Sequence, residues 1–386
     1  MLKKFKSLLK KEKKKNVILV ALDGVRLDFM RDFPEFKKLS NRGLLFNNVV
    51  AYAPHSIASF HAIFTGIYGC HNGVNSYFGT PKFKGEECKT LTEYFKDLKY
   101  SCFGDTMNDL VIPRKGFDNL IEQEAFSENF VEDHKKIISK IKEKNDKGQA
   151  CFVHLHCSFA HNDVVTDFMK AFKDKDKEFF ANKEENIATY KKSLQKVDEY
   201  IKTITDLFNE FGLFDNSSFV FFSDHGTSVG EKFGERGYGT FCYYYSLKTF
   251  CLFIDKDNFH SKEVSQLIRN VDYTPTLLEM FSIAPDKKFM ELDGESLLAF
   301  TKDDPVKERI AFAETGGISG PWPSPKEPNI HVICSDSWKL IFNRFPKTFE
   351  LYNLKNDPAE EKNLIEVEKE KFEELKDILG SYTLIE

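Results

Sequence analysis

The chain has 386 residues, 41% of them hydrophobic, and a formal net charge of -5 at pH 7. That length suits one large α/β domain plus a smaller one, and the mild negative balance excludes a broad nucleic-acid-binding surface. The eight cysteines form no CxxC pair, which argues against a zinc ribbon or redox motif.

Residues 1–15 form a basic tail with eight lysines against the single acid Glu12. Leu2, Phe5, Leu8 and Leu9 share one face at helical spacing. Two readings stay open: a solvated tail, or an amphipathic helix resting on an anionic membrane. The chain shows no secretory apolar region and no apolar run of membrane-spanning length. The expected location is therefore cytoplasmic, with peripheral contact at the inner membrane face as an option.

Residues 16–24 read as a buried strand ending in Asp23 and Gly24, with Arg26 and Asp28 in the loop behind it. Residues 53–66 form a helix with an apolar face of Ile57, Phe60, Ile63 and Phe64, stopped by Gly66. Ser56 lies at its start. A capping role fits that position. So does a nucleophilic role, because free amides and the positive helix end favour an alkoxide and an attached acidic group.

Residues 91–98 predict a short helix, 100–104 a strand and turn, and 126–144 a charged helix. Residues 150–156 predict a third buried strand, with His154, His156 and His161 near its end. Alternation points His154 and His156 the same way, as core histidines would; His161 lies beyond the strand, facing the crevice. Residues 170–185 read as a solvated helix or lid, and 190–211 as an amphipathic helix.

Residues 217–226 are an apolar run that stops at Asp224, His225 and Gly226. One oxygen and one imidazole nitrogen at a strand end suit a divalent cation; an Asx turn with a hydrogen-bonded histidine fits the same three residues. In an open α/β sheet, ligands bind beyond the carboxyl ends of the strands. Two strands with acid endings make a shared site more probable than two chance caps. The loop 230–239 carries Glu231, Lys232, Glu235 and Arg236, residues 250–254 form a strand, and 271–280 a helix with Pro275 in its first turn. From residue 286 the pattern becomes short apolar runs separated by turns and closed by a helix over 366–379. The expected organisation is the tail 1–15, a catalytic domain 16–285 and a C-terminal α+β subdomain 286–386.

The ordered set of motifs resembles the sulfatase family of the alkaline phosphatase superfamily, from residue 16 to 364. The run Leu22-Asp23-Gly24-Val25-Arg26-Leu27-Asp28 resembles the family's first metal-binding segment. The helix ending Phe64-Thr65-Gly66 resembles its nucleophile helix, and Ser223-Asp224-His225-Gly226 its second metal segment. Residues 272–278, 292–298 and 350–364 are similar to further landmarks. The resemblance implies a three-layer alkaline-phosphatase-like sandwich with a mostly parallel central sheet, plus a small antiparallel sheet and helix at the C-terminal end. It implies one divalent metal ion (Mn, Mg, Ca or Zn) held by Asp23, Ser56, Asp224 and His225. Ser56 is then the nucleophile and His161 the proton donor to the leaving group. Arg26, His71 and Arg236 are the substrate-binding candidates. A second metal has no clear ligand set beyond His161 and His331.

The departures bear on substrate. Family sulfatases carry a cysteine or serine, oxidised to formylglycine, in a Cys/Ser-x-Pro/Ala-x-Arg motif; here the run is Ser56-Ile-Ala-Ser-Phe60. Phe60 occupies the arginine place, and Gly104-Asp105 stands where the family has Gly-Lys. The lysine usually found after the Asp-His segment has no clear match, though Lys232 or Arg236 could substitute. Fewer cations favour a phosphodiester, or a phosphorylated lipid or glycan, cleaved or transferred by an unmodified serine. A sulfuric ester hydrolase is the alternative, and a catalytically inactive scaffold a second one. The expected partner is a small-molecule, lipid or glycan ester.

Overall fold

The structure is a computed structural model that describes residues 14–170, 176–302 and 305–385. Most of the basic tail, residues 1–13, lies outside the described residues, as do residues 171–175 of the expected lid. At the base of the tail, Lys15 pairs with Asp255 at 2.7 Å and Asp257 at 2.5 Å. No helix among the described residues is long and apolar enough to cross a membrane.

Nine strands form the main sheet: β1 (Asn16–Leu22), β2 (Leu44–Val50), β3 (Ser101–Thr106), β4 (Asn119–Glu122), β5 (Cys151–Cys157), β6 (Ser217–Phe222), β7 (Lys248–Ile254), β8 (Lys262–Val264) and β9 (Ile268–Arg269). Their order is β4-β3-β5-β1-β6-β7-β2-β8, with β9 also on β2. From β4 to β6 every pairing is parallel, and β7 alone runs against its neighbours β6 and β2. The fold is the mostly parallel, helix-covered sheet that the apolar runs predict.

Side-chain alternation in β1 shows how the layers arise. Val17, Leu19 and Ala21 pack in one core with the Ser56–Thr65 helix; Ile18, Val20 and Leu22 pack in the other with the long helices Phe130–Asp146 and Lys183–Glu210. A strand buried on both faces needs this continuous apolar run, and only its end is free to carry polar groups. Ala21 lies level with His156 of β5 and Phe222 of β6. The residues that follow β1 and β6 therefore emerge side by side, and Asp23 N–H closes the edge by donating to the Cys157 carbonyl at 3.0 Å.

β2 is the longest strand that periodicity misses, and the short β4, β8 and β9 go unpredicted with it. Its Leu-Leu-Phe-Asn-Asn-Val-Val sequence breaks at the two asparagines, where the pairing with β7 shifts register between Phe46 and Val49. A bulge of this kind tolerates polar residues in mid-strand.

A separate antiparallel sheet follows: β10 (Ala311–Thr315), β11 (Ile330–Cys334), β12 (Trp338–Asn343) and β13 (Thr348–Asn353), with the helix Lys369–Gly380 against it. Between the sheets, two landmark segments pin the Ser56–Thr65 helix. Thr274 Oγ1 donates to the Ile63 carbonyl at 2.6 Å, and the Asp293 amide donates to the Gly66 carbonyl at 2.9 Å.

Candidate functional site

Four chain segments converge at the carboxyl ends of β1, β5 and β6. Ser56 Oγ donates to Asp23 Oδ2 at 3.3 Å and lies 3.2 Å from His225 Nε2. His225 Nε2 is 3.5 Å from Asp23 Oδ1 and 3.6 Å from Asp224 Oδ2. His161 Nδ1 is 3.3 Å from Asp23 Oδ1. Asp23, Asp224 and His225 are fully buried, and Ser56 is nearly so.

Local sequence explains the convergence. Gly24 has φ +69°, a left-handed turn that sends the chain away as soon as Asp23 is delivered. A Cβ at Gly226 would sit 2.1 Å from the Tyr245 carbonyl oxygen, so only glycine lets the Asp224–His225 turn close. The two turns are laced together: Thr227 Oγ1 donates to the Gly24 carbonyl at 2.9 Å, and the Gly24 amide donates to Asp224 Oδ1 at 3.3 Å.

Hydrogen bonding leaves a gap of one sign. Asp23 Oδ1 and Asp224 Oδ2 are buried and accept no hydrogen bond. The Nδ1 of His225 lies 2.8 Å from the Gly226 carbonyl oxygen, so Nδ1 carries the proton and the Nε2 lone pair is turned to the acids. Buried polar atoms left in this state cost about 1–3 kcal/mol each. The charge balance agrees. Burial alone would push the Asp23 carboxyl up, but the charge on His161 and the hydrogen bond from His156 outweigh it and hold Asp23 well below the ordinary carboxylate range. Asp224 is raised by burial and then by the charge on Asp23. Two carboxylates and an imidazole lone pair around one point fit a divalent cation. Asp23, His161 and His225 offer ligand atoms within 4.8 Å of one another.

Several nearby groups escaped the sequence reading. His156 is not a bystander: its Nε2 is 2.9 Å from Asp23 Oδ2, and its amide donates to Asp105 Oδ1 at 2.9 Å. His154, which alternation treats alike, instead binds the Asp105 carbonyl oxygen through Nδ1 at 2.8 Å. Tyr238 stacks on His225 with ring centroids 4.4 Å apart, and its hydroxyl lies 3.1 Å from His161 Nδ1. His55 is buried with both ring nitrogens unpartnered, and burial, with His225 nearby, pushes its pKa down to about 3. Its place next to Ser56 was the one signal available.

The family's cation positions are filled otherwise. Phe60, one helical turn after Ser56, packs 5.2 Å from the His156 ring and 5.9 Å from Phe222. Asp105 binds His134 Nε2 at 2.7 Å; burial raises its pKa, but His134 and further hydrogen bonds outweigh that and leave it lowered. Lys232 is directed to the Glu360 carbonyl and lies over the Tyr243 ring at 4.8 Å. Of the substrate-binding candidates, Arg26 is engaged by Asp28 at 2.7 Å, Glu231 at 2.5 Å and the Thr227 carbonyl at 3.0 Å. His71 is held by Asp293 at 2.9 Å. Arg236 is half-buried in the 230–239 loop and has partners of its own. His331, considered for a second ion, pairs with Glu314 at 3.0 Å in the antiparallel sheet.

Comparison with known proteins agrees with this architecture. The family model described as Sulfatase matches residues 15–283, and that of the N-sulphoglucosamine sulphohydrolase C-terminal region matches residues 234–382. The extracellular sulfatase SULF-1 homolog of Drosophila melanogaster is 30% identical over 106 residues, a match spanning 28% of this chain and 9% of that protein. A chain solved in complex with its substrate D-glucosamine-2-N,6-O-disulfate superposes with a TM-score of 0.76 at 16% identity, covering 96% of this chain and 97% of its own. A 2-O GAG sulfatase gives 0.76 at 17%, covering 96% and 92%. The phosphonate monoester hydrolase of Agrobacterium radiobacter gives 0.73 at 14%, covering 96% of both chains.

Proposed function

Because the chain belongs to the sulfatase family, we propose that it is a metal-dependent hydrolase of singly charged esters, a sulfate ester first and a phosphonate monoester or phosphodiester second. One observation carries the reading. Ser56 Oγ touches Asp23 and His225 at a point where Asp23 Oδ1 and Asp224 Oδ2 have no proton donor. A scaffold has no need of a hydroxyl placed against unsatisfied carboxylates.

Charge decides which esters suit the site. Phe60 and Asp105 stand in the family's cation places, and Lys232 is bound elsewhere. A phosphate monoester dianion would meet too few positive groups. A phosphodiester avoids that penalty, but so does a sulfate ester, which is also a monoanion. Scarcity of cations therefore gives no preference for phosphorus over sulfur. Family membership then sets the sulfate ester ahead of the phosphodiester.

Asp23, Asp224, His225 and Ser56 would hold the divalent ion, which when bound lowers the hydroxyl pKa and neutralises the acids. The chain's own groups do the rest. The hydrogen bond from Ser56 Oγ to Asp23 Oδ2 orients the hydroxyl, and its proton leaves to solvent as the oxygen ionises. Ser56 Oγ bonds to sulfur or phosphorus as the bond to the leaving oxygen breaks. That oxygen takes the electron pair, and His161, on the other side of Asp23, supplies its proton. Water then hydrolyses the serine ester. Tyr238, against both imidazoles, fixes their planes.

The test uses purified protein loaded with Mn²⁺ and four substrates. These are 4-nitrophenyl sulfate, a 4-nitrophenyl phosphonate monoester, bis(4-nitrophenyl) phosphate and the dianion 4-nitrophenyl phosphate. Monoanions are expected to turn over faster than the dianion, and Ser56→Ala to lose at least about a thousandfold in kcat. Intact mass would show whether Ser56 is unmodified. Equal rates for wild type and Ser56→Ala would overturn the assignment.

A further inference from the structure

We propose that His55 is a catalytic residue whose ring donates a hydrogen bond to a non-bridging oxygen of the transferred group, in place of the cations this chain lacks. The inference rests on Ser56 being an ester-cleaving centre and assigns one more residue to that site. His55 occupies the N-cap position of the Ser56–Thr65 helix, in extended backbone, and makes no side-chain capping bond. Serine, threonine, aspartate or asparagine at this place would stabilise the helix. The residue is 1% exposed, yet neither of its ring nitrogens has a hydrogen-bond partner. Histidine here is thus doubly unfavourable for folding until a ligand supplies the missing partner.

The surroundings hold the ring beside the reacting hydroxyl. Tyr77 packs on it with ring centroids 5.5 Å apart, and a Cβ at Gly239 would lie 3.8 Å from the His55 Cβ. The end of β10 braces both neighbours: the Tyr77 amide donates to the Gly316 carbonyl at 2.9 Å, and Thr315 Oγ1 donates to the Gly239 carbonyl at 3.3 Å. Gly239 follows Tyr238, which stacks on His225. Burial, and then the charge of Asp23, raises the hydroxyl pKa of Tyr77 and of Tyr238. The cage around His55 therefore reaches the acid that contacts Ser56. In an in-line displacement the attacking and leaving oxygens stand at opposite ends, and the non-bridging oxygens spread between them. A donor next to the nucleophile in sequence serves those oxygens. A neutral imidazole offers one N–H, and a donor fixed in a water-excluded site stabilises developing charge without reorganising. Phe60 and Asp105, in the family's cation places, offer no such donor.

The test compares wild type with His55→Phe, His55→Asn and His55→Gln on whichever 4-nitrophenyl ester wild type cleaves fastest. Phenylalanine keeps a ring and removes both nitrogens; asparagine keeps a donor near the place of Nδ1, and glutamine near that of Nε2. His55→Phe should lower kcat about a hundredfold with KM moved less than about threefold. It should also raise the Tm of the free protein by about 2 °C, because no unpartnered nitrogen is left buried. One of the two amide variants should recover at least about tenfold of the lost kcat. A histidine with a merely structural role would lose stability and activity together. A readout independent of turnover is calorimetric titration of Mn²⁺-loaded Ser56→Ala protein with inorganic sulfate, which added His55→Phe should weaken at least about fivefold. A kcat within about threefold of wild type in His55→Phe, or a lower Tm with no recovery by either amide, would overturn the inference. If no ester is cleaved at all, the ester-cleaving reading falls and the sulfate titration decides His55 separately. Weaker binding in the double variant then keeps the assignment, and equal binding ends it.

Discussion

Two clusters of buried charge, at the two ends of the Ser56–Thr65 helix, use similar side chains in opposite ways. Beyond its C-terminal end, Asp272 is saturated. Its Oδ1 accepts Arg269 Nη2 at 2.8 Å and the Glu295 amide at 2.8 Å, and its Oδ2 accepts the Arg269 amide at 3.0 Å. A second guanidinium, Arg309, lies 3.6 Å from it. At the N-terminal end, Asp23 and Asp224 each keep one buried oxygen with no donor, and the nearest basic groups are imidazoles. Both clusters are hidden from water, so exposure does not separate them. What separates them is completeness: a satisfied acid holds the fold together, while unsatisfied acids turned toward a shared point are stable only with something positive between them.

The sharpest way to break this contrast is to remove one acid from the unsatisfied cluster. Asp224→Asn should relieve repulsion between the acids and raise the thermal stability of metal-free protein by about 1–2 kcal/mol. It should also abolish the metal-induced rise in Tm, which in wild type corresponds to about 2.7 kcal/mol at a hundredfold excess over Kd, and lower kcat at least about a hundredfold. Scanning calorimetry with and without Mn²⁺ reads the first two effects. Asp272→Asn should do the reverse, destabilising the protein by about 3 kcal/mol because two guanidinium groups lose their acid.

A second prediction uses pH. Glu235 in the 230–239 loop accepts the Thr240 amide at 2.7 Å and the Phe241 amide at 3.0 Å, and burial pushes its pKa up from 4.5 to about 7. A group raised in the folded state adds stability that is complete below its unfolded pKa and is lost as pH climbs through the folded one. Stability should therefore fall by about 3 kcal/mol between pH 4.5 and just above 7 from this group. Glu235→Gln should flatten that slope in denaturant titrations run across the range. The smallest effect is expected at Lys232, which is spent on the Glu360 carbonyl. Lys232→Met should change kcat less than about threefold, whereas a direct role in clamping the transferred group would cost about a hundredfold.

Much of the architecture was legible because β1 and β6 are apolar runs interrupted only at their ends, which leaves their polar terminal residues nowhere to sit but the crevice. Asp23, Asp224 and His225 could be chosen on that ground, Ser56 and His161 from the resemblance to the family's nucleophile helix and leaving-group histidine, and the structure brings them together. What was not legible depends on loops meeting. Arg26 looked like a substrate cation but faces Glu231, more than two hundred positions away. His154 and His156 obey the same alternation, yet only one reaches Asp23, since side-chain rotation is invisible to a period of two. Tyr238 lies in a glycine-rich loop whose path no local pattern encodes. The phosphodiester preference came from counting cations without comparing the charges of the competing esters.

The most direct measurement is an anomalous difference map from crystals soaked in Mn²⁺. The account predicts one strong peak about 2.2 Å from Asp23 Oδ1, Asp224 Oδ2 and His225 Nε2, with Ser56 Oγ beside it. A map with no peak among these four residues, in crystals that bind manganese elsewhere, would contradict it.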